Sequence, residues 1–76
     1  MSRLPQVNGI RLARALVRAG FIEIHGKGSH RMFVHEDDAT RVAIIAMHKG
    51  KTIPPGTLRA ILRGCRLTVE ALKELL

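Results

Sequence analysis

The sequence predicts an α+β layer fold, with a three-stranded antiparallel sheet packed on one face by helices in the order α-β-β-β-α-α. Three observations carry this expectation. Apolar residues recur at helical spacing before Gly20 and again after Pro55. Between Phe21 and His35 the period drops to two, as in paired strands. The chain has 76 residues, 46% of them hydrophobic and spread along its whole length, which suits one packed core and leaves no room for a second. Residues 1–76 are therefore expected to form a single domain, and architectures built on α/β barrels or dinucleotide-binding sheets are excluded by size.

The first helix is signposted by Asn8, whose side-chain oxygen can accept from the unpaired amides of a first turn. Ile10, Ala13, Leu16 and Val17 supply its apolar stripe, and Gly20 a left-handed stop. Arg11, Arg14 and Arg18 form a basic stripe on the other side, readable as a solvated face or as a phosphate-binding one. From Phe21 to His25, Ile22 and Ile24 alternate with Glu23 and His25, the pattern of a half-buried strand. Gly26-Lys27-Gly28-Ser29 reads as a turn and His30 to His35 as a second strand. There His30 shares its parity with Met32 and Val34, which would be expected inward. Either the strand begins after His30, or a bulge intervenes, or Arg31 and Phe33 form the covered face.

Glu36, Asp37 and Asp38 are half of the six acidic residues and mark the next hairpin connection, ending at Ala39. Arg41 to Met47 is apolar on both faces, as in a strand covered on both sides. Helices cover only one side of such a sheet, so the second apolar side predicts a partner or a dimer contact. A basic loop from His48 leads to Pro55, whose missing amide costs nothing at the first helical position. Leu58, Ile61 and Leu62 form the inward stripe of that helix, Arg59 and Arg63 the outward one, and Gly64 its stop. Thr68 caps a short last helix, with Glu70 in its first turn and Val69, Leu72 and Leu76 inward.

Thirteen Lys and Arg stand against six Asp and Glu, a formal charge of +7. So basic a chain seeks a polyanion: RNA, DNA, an acidic protein or an anionic membrane surface. No apolar run approaches the roughly 18–20 residues of a membrane span, and the start Met1-Ser2-Arg3-Leu4-Pro5-Gln6 has no long apolar stretch behind it, unlike a secretory signal. The one cysteine, Cys65, cannot close an internal disulfide and reads as a small apolar residue near a helix end. A cytoplasmic location is expected. Aromatic residues are 3% of the chain (Phe21 and Phe33), so no platform of stacked rings is available for single-stranded bases.

Chemistry needs a nucleophile, a proton-transfer group or a metal. His25, His30, His35 and His48 lack the paired spacings of a zinc site apart from a bare interval of five, so no metal and no cofactor are expected. The G-x-x-x-x-G-K-[ST] phosphate loop is absent. Ser29 adjoins His30 with no oriented third member for a nucleophilic triad. What remains is Gly26-Lys27-Gly28-Ser29-His30-Arg31. Its glycines permit close approach of a phosphate, Lys27 and Arg31 supply positive charge, and an imidazole both takes and gives a proton near neutrality. That set suits RNA cleavage by its own 2′-hydroxyl, in which a base removes the hydroxyl proton and cations stabilise the phosphorane. DNA lacks that hydroxyl. A lone histidine at the start of a strand also reads as a structural or merely exposed residue.

Five pieces in order add to this reading: Leu4-Pro5 to Gly9, Ala19-Gly20-Phe21, Lys27-Gly28-Ser29-His30, Met47-His48-Lys49-Gly50-Lys51, and Pro55-Gly56-Thr57-Leu58-Arg59-Ala60-Ile61-Leu62-Arg63. Together, over almost the whole chain, they resemble the HicA family of small toxin ribonucleases from bacterial toxin–antitoxin modules. Ala46 stands where that family commonly carries proline. The resemblance implies a fold like a double-stranded-RNA-binding domain, with the last short helix added. It implies an mRNA-cleaving endoribonuclease that needs no metal and stops translation, neutralised by a cognate HicB-type antitoxin that usually represses the shared operon. It also places the catalytic histidine on His30, preceded by Lys27, Gly28 and Ser29.

On that reading Lys27, Arg31, Lys49 and Lys51 bind RNA phosphates, Gly28 and Ser29 shape the site, and His48 and Arg59 belong to the RNA surface. The second proton-transfer group is His48, His25, His35 or water. A non-catalytic double-stranded-RNA-binding module is the alternative that shares the fold and the charge, and a domain that meets only an acidic protein is a third. An inhibitor must cover His30 or the cations around it. An acidic surface is expected, set against the apolar side of the sheet or the basic helix stripe.

Overall fold

The computed structural model describes residues 3–76. The elements follow the expected order: α1 (Gly9–Arg18), β1 (Phe21–Lys27), β2 (His30–His35), β3 (Asp38–Ala46), α2 (Pro55–Cys65) and α3 (Val69–Leu75). The strands form one three-stranded antiparallel sheet in the order β1-β2-β3. The core lies between one face of this sheet and the helices, with Leu12, Leu16, Phe33, Ile45, Leu58 and Leu72 almost wholly buried.

Local signals set the helix ends. Asn8 Oδ1 accepts from the Arg11 amide at 2.8 Å, and Gly20 leaves α1 with φ of +95°. The buried stripe of α1 is Gly9, Leu12, Ala13, Ala15 and Leu16. Ile10 and Val17, expected inward, are 46% and 58% exposed. The helix approaches the end of β3 so closely at Gly9 that a Cβ there would lie 2.8 Å from Met47 Sδ. The contact line therefore runs through Gly9, Leu12 and Leu16, which leaves Ile10 and Val17, seven apart, on the flank.

The hairpin settles which face each strand residue takes. Phe33 is buried opposite Ala43, and Arg31 pairs with Ile45. Of the three arrangements the sequence allows, Arg31 and Phe33 on the covered face is the one adopted, with His30, Met32 and Val34 on the other. In β1 the inward residue is Phe21, and Ile22 and Ile24 are 50% and 56% exposed, a correction to the pattern read from alternation. Ile22 sits opposite Val34 on the open face, and a register shift between Glu23 and His25 lets β1 continue to Lys27. The second apolar side of β3 is also uncovered, with Ile44 52% exposed.

α2 starts with Pro55 at its first position and buries Leu58, Ile61, Leu62 and Cys65. Gly64 does not stop it: the helix runs to Cys65 and ends on Arg66 in a left-handed conformation, φ 55°. Glycine is needed at 64 for contact, because a Cβ there would meet the Val42 carbonyl oxygen at 2.8 Å. The Arg66 guanidinium is fixed by Asp38 at 3.1 Å and by the Thr40 hydroxyl. α3 opens on Thr68, whose Oγ1 accepts from the Ala71 amide at 3.0 Å. Leu72 is fully buried, and Leu75 packs against the core in place of Leu76, which is 36% exposed. Arg18 ties the end of α3 to α1 by donating to the Leu75 carbonyl at 2.6 Å.

Candidate functional site

Three connections meet at one end of the sheet. Lys27 pairs with His30 across the first hairpin, and His30 pairs on its other side with Ala46. The Met47 amide donates to the Ser29 carbonyl at 2.7 Å, so the basic loop leaves β3 against the hairpin turn. Thr52 bridges to Asn8, and the Ile53 amide donates to the Val7 carbonyl at 2.8 Å, so the same loop passes the start of α1. The register thus gathers Lys27, His30, Arg31, His48, Lys49 and Lys51 at one end, all of them exposed. Glu36, Asp37 and Asp38 lie around the β2–β3 turn, at the opposite end of β2.

The two glycines of the first hairpin have different jobs. At Gly26 a Cβ would lie 2.8 Å from the His30 carbonyl oxygen and 3.3 Å from Arg31 Cα. Its bareness serves the close approach of the two strands rather than that of a ligand. Gly28 has φ of +61° and open space around it, so it makes the turn while leaving room beside Ser29.

Successive strand residues point to opposite faces, which separates His30 from Arg31. His30 lies on the open face, where Lys27, His30, Arg31, Met32 and Ile44 line a shallow depression of about 200 Å³. The Arg31 guanidinium reaches the helix side and pairs with Glu23 Oε2 at 2.8 Å. There Arg31 shares with His48 and Lys49 the wall of a second depression of about 270 Å³. Lys27 and Arg31 both border the depression that holds His30, while the Arg31 guanidinium reaches Glu23 on the helix side. His48 and Lys51 line a further depression with Ala46 and the start of α2. Arg59 is not part of this end. It lies with Arg63, Leu67 and Thr68 in the shallow space between α2 and α3.

Among the other histidines, His35 is held by structure. Its Nε2–H donates to the Ala19 carbonyl at 3.0 Å, its Nδ1 accepts from the Asp37 amide at 3.1 Å, and its ring stands edge-on to Phe21. Both nitrogens are occupied, at the far end of β2. The side chain of His25 lies outside the described residues. His48 is exposed, two residues beyond the cross-strand partner of His30. Among the described residues no three of His, Cys, Asp and Glu gather into a group that could hold a metal ion.

The displaced titrations also lie away from this end. The Thr40 hydroxyl and amide, with Arg66, hold the Asp38 carboxyl below its usual range. Burial pushes the Cys65 thiol up to about 11. Sequence reasoning singled out the basic stripe that holds Arg14 and Arg18 but missed that Ile10 and Val17 stay exposed beside it, forming a groove with Arg31 and Met47. Its signal is the spacing of Ile10 and Val17 beside Arg14 and Arg18, but helical periodicity alone puts that apolar stripe inward.

The α-β-β-β-α layout, with the helices on one sheet face, fits the fold of a double-stranded-RNA-binding domain. The chain matches the family model of the HicA toxin of bacterial toxin–antitoxin systems over residues 10–67, and it belongs to that family. It is the toxin of a toxin–antitoxin module, and an antitoxin is its partner. A search of curated proteins returns no match. Among the described residues no helix is long and apolar enough to cross a membrane.

Proposed function

We propose that this toxin is a metal-independent endoribonuclease that cleaves mRNA in the cytoplasm, with His30 as the general acid/base, and that a HicB-type antitoxin restrains it. The observation that carries the reading is the position of His30: an exposed imidazole opposite Lys27, at the basic end of the sheet and on the face away from the Arg31–Glu23 pair. In the reaction the imidazole takes the proton of a ribose 2′-hydroxyl. The freed oxygen attacks the adjacent phosphorus, and the bond to the 5′-oxygen breaks. That oxygen leaves with a proton supplied by a second group, which we assign to His48. The products are a 2′,3′-cyclic phosphate and a 5′-hydroxyl.

Lys27 stabilises the charge that develops on the phosphorane oxygens. Lys49 and Lys51, with Arg31 on the helix side, hold the flanking backbone phosphates, and Gly28 and Ser29 leave the turn open to the strand. A DNA oligonucleotide carrying a single ribonucleotide tests the chemistry. Cleavage in EDTA at that nucleotide alone, with a cyclic phosphate end, is the expected result. An all-DNA strand cut equally well, or a product ending in 3′-hydroxyl, overturns the mechanism. A chain that binds double-stranded RNA and cuts neither it nor this oligonucleotide is a double-stranded-RNA-binding module only.

A further inference from the structure

Helix α1 does not lie flush on the sheet. Between it and the β1–β2 hairpin runs a depression of about 440 Å³, walled by Ile10, Arg14, Val17, Arg18 and Arg31. It continues past Met47 into the 270 Å³ depression at His48 and Lys49, and the two share Ile10, Arg31 and Met47 in their walls. The floor is apolar, with Ile10 and Val17 about half exposed. These two side chains stand about 11 Å apart along the helix, two turns of its length. The rim is basic. Glu23 is the acidic residue in these walls, and its carboxylate is occupied by Arg31.

We infer that this groove is where the antitoxin docks, through an acidic amphipathic segment about two helical turns long, whose apolar side chains seat on Ile10, Val17 and Met47 and whose carboxylates meet Arg14, Arg18 and Arg31. The inference rests on the chain's place in a toxin–antitoxin module and is independent of whether it cleaves RNA. Charge complementarity selects an acidic occupant, and the floor selects a protein. A sugar–phosphate backbone has no large apolar surface to place against isoleucine and valine. Phe33, the one ring in the wall beside α1, is 1% exposed and offers no face for a base. The open face of the sheet is equally apolar at Ile22, Ile24 and Ile44, but its cations stand at one end only, so nothing along it selects an acidic partner. A segment in the α1 groove takes Arg31, His48 and Lys49 from the cations available to RNA, which couples docking to inhibition.

The test is antitoxin binding to the full chain by calorimetry, in a His30→Ala background so that toxicity does not interfere. Ile10→Asp with Val17→Asp is compared with Ile22→Asp with Ile44→Asp, each checked by circular dichroism. All four positions are about half exposed, so the fold tolerates them. The groove pair is expected to weaken antitoxin binding by about 30-fold or more, as for a central anchor, and the sheet pair by less than about 3-fold. Arg14→Glu, which leaves the Arg18–Leu75 tie in place, is expected to weaken it by about 5-fold or more at low salt, less at high salt. An equal loss at both faces, or a loss at the sheet pair alone, overturns the inference. So does a groove pair that loses RNA affinity and keeps the antitoxin, which would give the groove to RNA. A chain that fails to cleave RNA leaves each of these binding outcomes readable.

Discussion

Arg31 Nε and Glu23 Oε2 meet at 2.8 Å across the first hairpin, on the side of the sheet that faces the helices. The pair follows the parity of β2: Arg31 shares that side with the buried Phe33, and His30 faces the open one. Both side chains are over a third exposed, so a double-mutant cycle is expected to give a coupling of about 0.2–1 kcal/mol, as for other surface pairs. The functional effect should be clearer. Arg31→Ala is expected to weaken RNA binding and to lower the slope of log affinity against log salt by about 0.7–0.9, one phosphate contact. An unchanged slope would remove Arg31 from the RNA surface.

The hairpin and the α2–β3 contact are both limited by glycines. Gly64→Ala adds about 1 kcal/mol of helix propensity but sets a methyl 2.8 Å from the Val42 carbonyl oxygen, a backbone atom that cannot swing aside. The net is expected to be destabilising by about 1–3 kcal/mol in urea unfolding. Gly26→Ala presses on the His30 carbonyl in the same way, and should lower cleavage as well as stability with the imidazole intact. At Gly28 the left-handed backbone is most hostile to branched side chains, so Gly28→Asn is expected to outperform Gly28→Val in both measurements. A Gly64→Ala protein more stable than the wild type would contradict so close an approach of α2 to β3.

Much of this architecture is legible locally. Asn8, Gly20, Pro55 and Thr68 act on their own turns, so the sequence places the helix starts and the exit from α1. The basic residues around His30 are likewise readable, because the hairpin that gathers them is a short-range structure. Faces are harder to read. Ile22 and Ile24 look inward by alternation, yet Phe21 takes the core, and the sheet leaves its second face open. Ile10 and Val17 fit a helical stripe, but the line of contact is set by how closely Gly9 approaches Met47. Gly64 looks like a stop until β3 is seen beside it. Arg59 and His35 match the expected chemistry by residue type, and only the tertiary fold separates them from the basic end. In each case the deciding partner is distant in sequence.

Asp38 should shape the acid limb of stability. The Thr40 hydroxyl and amide hold its carboxyl below the free value of 3.8, with help from Arg66. A carboxyl depressed by folding contributes fully above its unfolded value, and the contribution is lost as pH falls through the lower folded one. Asp38→Asn is therefore expected to flatten the decline in stability between about pH 5 and 2. An identical decline in the variant would show that the cluster does not favour the ionised form.

Cys65 carries the opposite sign. Burial raises its thiol from 9.0 to about 11, so the fold favours the neutral form. That contribution is lost for the most part as pH rises from 9.0 to about 11, because the unfolded thiol ionises there and the folded one does not. At about pH 8 an aromatic disulfide reagent should label Cys65 far more slowly than a free thiol, and sub-denaturing urea should accelerate it. Labelling at the free-thiol rate would contradict a buried thiol.

The most direct test of the central claim compares wild type and His30→Gln on one RNA in EDTA, measuring cleavage rate and dissociation constant together. Loss of a positioned acid/base group predicts a fall in rate of about 100-fold or more, with RNA affinity within about 3-fold of wild type and an unchanged melting curve. Cleavage by the variant at the wild-type rate would contradict the assignment and move the chemistry away from His30.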